Sequence, residues 1–200
     1  MLCLFCFQTS IAQNSLEQEL SIGAIKIIEI DGNQIFSISV STTKTDHISI
    51  TSKLDGEYQS QFQIVTNQQN DTLKIGLKRL PFTLKVDDKR NAHKVIAATL
   101  YLEIPEYLML NVFSDVGSVD LKGIFNNLSV ELLQGHCNVM AKVDTATINT
   151  IDGDISIITN SADISAYSNH GDIIFDEFSI LISKWKLQSV NGNIRVAKPE

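Results

Sequence analysis

From Tyr107 onward, apolar and polar residues alternate in short runs that recur at a fixed interval. Gly117, Gly135, Gly153 and Gly171 stand 18 residues apart, and Gly192 follows after 21. Two residues after these glycines come Val119, Cys137, Ile155, Ile173 and Ile194. Four after them come Leu121, Val139, Ile157, Phe175 and Val196, and five before them Val112, Val130, Ile148, Ala166 and Leu187. Strand-like alternation inside a fixed period predicts an all-β chain, a parallel β-solenoid with coils of about 18 residues. Each coil reads as strand, glycine turn, strand and polar corner, with glycine supplying the positive φ of a sharp reversal. The longer step to Gly192, with Trp185 at an inward position, predicts an atypical last coil that closes the stack.

Residues 13–105 alternate without that interval. Ile25–Ile30, Ile35–Val40, His47–Thr51, Gln61–Thr66, Thr72–Leu77 and Thr99–Ile104 read as half-buried strands. Asp31-Gly32-Asn33 and Asp55-Gly56 mark turns between them. This irregular, β-rich N-terminal part is expected to cover the first coil of a regular solenoid over 106–200. The two parts would form one continuous domain, 13–200.

The first twelve residues differ from the rest. Met1–Phe7 is apolar, and Ser10 and Ala12 sit at the spacing of a secretory cleavage site, so residues 1–12 read as a signal-peptide remnant. The run is too short to span a bilayer as a helix. Cys3 and Cys6 fall inside it, which leaves Cys137 as the one cysteine beyond the leader. Cys137 shares the inward offset of Val119 and Ile155 and reads as a small buried hydrophobe rather than a nucleophile. Net charge is -7, yet seven basic residues lie between Lys74 and Lys94, so the remainder is strongly acidic. That balance argues against nucleic acid as a partner. The basic run reads as a solvated hairpin.

Leu102-Glu103-Ile104-Pro105, followed by units such as Gly153-Asp154-Ile155-Ser156-Ile157 and Gly192-Asn193-Ile194-Arg195-Val196, resembles the putative-adhesin β-solenoid family of bacterial envelope proteins. It is also similar to auto-transporter adhesin-head domains. The resemblance runs from about Ile25 to Val196 and is best over Leu102 to Val196. It implies an exported β-helical protein of the periplasm, outer surface or extracellular space, and brings no catalytic residues with it.

No phosphate loop, H-E-x-x-H helix or G-x-S-x-G elbow occurs. One corner merits attention. If consecutive coils stack in register, Asp152, Asp154, His170 and Asp172, with His136, crowd one edge, with carboxylates about 4.8 Å apart. Oxygen-rich crowding of this kind is a candidate metal site, although polar residues are favoured in turns in any case. The sequence thus predicts a non-enzymatic exported protein without cofactors, an adhesin or structural binding module of the cell envelope. Its expected partners are a cell-surface glycan or an envelope protein, and its open ends permit a homo-oligomer. A carbohydrate-active β-helix enzyme using the aspartate corner, or a periplasmic partner in envelope signalling, is the alternative.

Overall fold

The computed structural model describes residues 14–55, 62–80 and 97–199. The leader, with Cys3 and Cys6, the turn at Gly56 and the basic residues Lys85 to Lys94 lie outside the described residues. All the secondary structure described is β, arranged as a single mixed sheet of fifteen strands.

Alternation sets the strands and their corners. β8 (Met109–Val116), β9 (Ser118–Gln134) and β10 (Cys137–Asp152) bury every second side chain over most of their length. In β10 the alternation slips at Asp144-Thr145, where two successive side chains are exposed and the chain bends from one face of the molecule to the other. Partners across the strands repeat the sequence interval: Val119 pairs with Cys137 and Cys137 with Ile155, all in parallel. Inward residues of the two faces belong to one core, in which Cys137, Ile148, Trp185 and Leu187 are all buried.

Most of the chain runs in laps, each made of a strand on one face, a corner, and a strand on the other. After β8 and β9 come β10 and β11 (Ile155–Ile158), in sequence order. The order then breaks. β14 (Lys184–Ser189) pairs with β10, and β15 (Ile194–Ala197) pairs with β11. β12 (Asp163–Ser168) and β13 (Ile173–Phe175) lie outside them, on β14 and β15. The lap 184–197 is therefore inserted beneath the lap 163–175. The expectation that the last coil closes the stack is corrected: Trp185 is buried between Ala146 and Ile164, and the lap before it forms the end.

The N-terminal part repeats the exchange. β2 (Ile27–Asp31) and β3 (Ile35–Thr43) sit in parallel on β8 and β9. β6 (Thr72–Arg79) and β7 (Ala97–Pro105), later in the chain, lie outside them. Among the described strands the antiparallel pairs are those of β1 (Asn14–Ser21) with β4 (His47–Asp55), β4 with β7, and β5 (Phe62–Gln69) with β6. Much of the half expected to be irregular thus continues the parallel ladder. Lys74, from the basic run, pairs with Glu29 across β6 and β2 at 3.2 Å.

The repeated glycines have a packing cause. A Cβ at Gly153 would run into the carbonyl of Gly135, one at Gly192 into that of Gly153, and one at Gly171 into that of Gly192. Backbone is stacked on backbone, with no room for a side chain. Among them, Gly117 and Gly135 have positive φ, Gly135 at 124°. The turn explanation therefore holds at Gly135, and close approach explains Gly153, Gly171 and Gly192.

Candidate functional site

The exchange of laps decides what stands at the glycine corner. Asn193 lies between Asp154 and Asp172, and Asn191 between Asp152 and His170. The Asn193 N–H donates to Asp154 Oδ1 at 2.7 Å, and the Asp172 N–H donates to Asn193 Oδ1 at 2.9 Å. Asn191 Nδ2 donates to Asp152 Oδ1, while Asn191 Oδ1 accepts from His170 Nδ1 at 2.8 Å. With one asparagine rung interposed, Asp154 and Asp172 are two strand spacings apart, about 9–10 Å. Amides replace the expected crowding of carboxylates. His136 stands on another rung, where its backbone N–H donates to Ser118 Oγ at 3.3 Å. Among the described residues no group of three or more His, Cys, Asp or Glu side chains is placed to hold a metal ion.

Hydroxyls three residues before the glycines complete this corner. Ser114 Oγ donates to the Gly32 carbonyl at 3.0 Å, Thr150 Oγ1 to that of Gly153 at 2.7 Å, and Ser168 Oγ to that of Gly192 at 2.8 Å. Ser189 Oγ accepts from the Gly192 N–H at 2.8 Å. Sequence reasoning missed this set. Its signal was Ser or Thr at the same offset before Gly117, Gly153, Gly171 and Gly192.

Cys137 is fully buried, and its thiol pKa is pushed up to about 12, first by burial and then by the Asp120 carboxylate. A thiol held neutral at physiological pH is a poor nucleophile.

The remaining candidates are the outward faces. On the first, one row crosses the strands as Tyr101, Ser39, Asp120, Asn138, Ser156 and Arg195. Asn138 Nδ2 donates to Asp120 Oδ1 at 2.9 Å. Lys53 reaches from β4 to 5.7 Å from the Tyr101 ring centre. A shallow cavity of about 500 Å³ opens on the β3 side of that tyrosine, floored by Ser39 and Ser41 and edged by Lys122 and Met140. On the second face the row is Phe113, Glu131, Asn149, Gln188 and Tyr167. It lines a second open cavity, of about 450 Å³. All five lie four residues before a glycine of the ladder, so the sequence held this row; the missing step was to read the outward offset as well as the inward one.

One solved structure shares this fold, and others show a weaker likeness. That of a putative cell adhesion protein from Clostridium sporogenes matches 94% of this chain and 100% of its own, with a TM-score of 0.69 at 9% identity. A putative adhesin from Bacteroides fragilis covers 94% of this chain and 98% of its own at 10% identity, with a TM-score of 0.38. A putative lipid binding protein from Parabacteroides distasonis covers 94% and 97% at 14% identity, with a TM-score of 0.36. At 9% identity the first likeness is one of fold. No family model matches the chain, and no curated protein matches it in sequence. No helix of the described residues is long and apolar enough to cross a membrane.

Proposed function

We infer that the protein is an exported, non-enzymatic β-solenoid of the putative-adhesin type, which binds a glycan or an envelope protein at the cell surface through its strand faces. In this reading the parallel laps are solenoid coils of about 18 residues, residues 13–200 form one continuous domain, and residues 1–12 are the remnant of an export signal. The observation that carries it is the pair of outward rows, where in-register stacking turns one side chain per lap into a continuous surface. Open, shallow cavities on both faces suit surface recognition better than enclosure of a reacting group. The fold likeness to the putative cell adhesion protein of Clostridium sporogenes supports the same reading.

The test is a pull-down with the chain from Gln13, immobilised and exposed to glycan arrays and to solubilised envelope fractions. Specific retention of a glycan or of an envelope protein is the expected result. Retention of neither would overturn the adhesin reading.

A further inference from the structure

We propose that the cleft between Phe113 and Tyr167 is a binding subsite for a neutral oligosaccharide lying across the strands. The proposal deepens the binding function inferred above and rests on it. Its floor is the row Glu131, Asn149 and Gln188, one side chain from each of three adjacent strands, and the two aromatic rings stand at its ends. Four strand spacings separate those rings, about 19 Å, so the row accommodates a chain of sugar rings rather than one. Phe113 is 42% and Tyr167 60% exposed, which leaves ring surface free to stack on a ligand.

Each part of the cleft answers to a part of a sugar. A pyranose has an apolar face of C–H groups and an edge of hydroxyls that both donate and accept. The rings offer the flat apolar partner. The amides of Asn149 and Gln188 both donate and accept, and so can pair with neighbouring hydroxyls as a carboxylate or an ammonium alone cannot. Leu133, Ile151 and Val190 form an apolar wall beside that polar row. This mixture of mainly apolar lining and a few convergent polar groups is that of small-molecule sites.

Two further observations narrow the class. Among the described residues lining the cavity Glu131 is the one charged side chain, and Lys186, on β14, does not line it. With a carboxylate and no cation in the lining, a uronate, a sulfated sugar or a phosphate headgroup would meet repulsion without a counter-charge. Asn149 Oδ1 is buried and has no hydrogen-bond partner. A buried carbonyl left unpaired is unfavourable, and a ligand hydroxyl donating to it would relieve that cost.

The row exists because of the exchanged laps. In sequence order Tyr167 would follow Asn149 directly; insertion of β14 places Gln188 between them and lengthens the polar floor by one strand.

The experiment titrates the intact chain with neutral tetrasaccharides of glucose, mannose and N-acetylglucosamine, and with a uronate tetramer, by calorimetry and by NMR of the backbone amides. A neutral tetramer is expected to bind and to shift amides of β9, β10, β14 and β12. Tyr167→Ala should weaken it by about tenfold, the loss expected for one stacking ring, as should Phe113→Ala. Leu16→Ala, on β1 and outside both rows, should leave affinity unchanged. Tyr167 and Gln188 are exposed, and an unchanged unfolding midpoint for Tyr167→Ala and Gln188→Ala separates lost contacts from lost fold. The proposal is overturned if no neutral tetramer binds, if the uronate binds more tightly, or if binding survives both substitutions. Envelope retention that Tyr167→Ala leaves intact would sink the cleft and spare the adhesin reading. Tetramer binding at the cleft, with neither an arrayed glycan nor an envelope protein retained, would do the reverse.

Discussion

The two ends of the stack face the same hazard and meet it differently. Each end would expose a row of backbone donors and acceptors, ready to pair with another chain, above columns of apolar side chains. At one end β4 runs antiparallel over β7, and β1 covers β4 with Glu17 and Glu19 exposed along its edge. Charge on an edge strand discourages further pairing. At the other end β13 is three residues long and wholly exposed, and Ile174, Phe175, Ile180, Leu181 and Ile182 are each more than half exposed. Phe178, from the loop that follows, folds back against the core. The first end is finished by added strands of different direction. The second is an ordinary lap displaced outward by a later one, and it keeps an apolar surface. A sheet of this kind can thus be ended by changing the strand pattern or by reordering the laps.

The largest expected effect comes from removing residues 184–200. Among the described residues lap 163–175 forms ladders only with β14 and β15, so hydrogen exchange should show that remaining lap unprotected as well. Removing residues 14–21 should cost far less, because β4 keeps its ladder with β7. Equal losses of protection from the two deletions would mean that the lap order is wrong.

Trp185→Ala comes next. The indole fills the core between Ala146 and Ile164, and its loss should cost about 3–5 kcal/mol in urea unfolding. Leu16→Ala on β1, where the side chain is already half exposed, should stay within about 0.5 kcal/mol. Gly153→Ala should then cost about 1–3 kcal/mol, because the new Cβ meets the Gly135 carbonyl. Gly76→Ala, at the other end, brings its Cβ no nearer than 3.4 Å to Asp31, so stability should be unchanged or slightly raised. A Gly153→Ala protein as stable as the parent would remove the packing account of the ladder.

Asn193→Asp is the smallest. It sets a third carboxylate between Asp154 and Asp172 and should destabilise by roughly 0.5–1 kcal/mol at neutral pH. The deficit should shrink as pH falls through the carboxylate range, since protonation removes the repulsion. A deficit that stays constant from pH 7 to pH 4 would point to lost amide bonding instead.

Much of the fold was legible because stacking repeats one register. The inward offsets placed Val119, Cys137 and Ile155 in a single column, and the structure keeps them there. Lap order was not legible, for a physical reason: every lap presents the same offsets, so each fits equally well on several neighbours. Periodicity says that laps stack and leaves open which lies on which. The first lap was hidden by one added residue at its corner. Ile30 to Ile38 is eight residues, where Val112 to Val119 is seven, yet Ile30 pairs with Val112 and Ile38 with Val119. The make-up of the aspartate corner was hidden for the first reason. Its residues were located correctly on an edge, but the rungs between them, Asn191 and Asn193, depend on lap order.

The exchanged laps also determine how the molecule would bear mechanical load. In any chain under tension, resistance depends on how many ladders must break together. A pull transmitted at Asn14 meets β1, whose one ladder among the described strands is with β4, so strands can peel away one ladder at a time. A pull transmitted at Ala197 meets β15, gripped by β11 on one side and β13 on the other. Tension from that direction must shear two ladders at once. The fold therefore has a strong handle and a weak one, and the strong handle was made by placing the last lap second from the end.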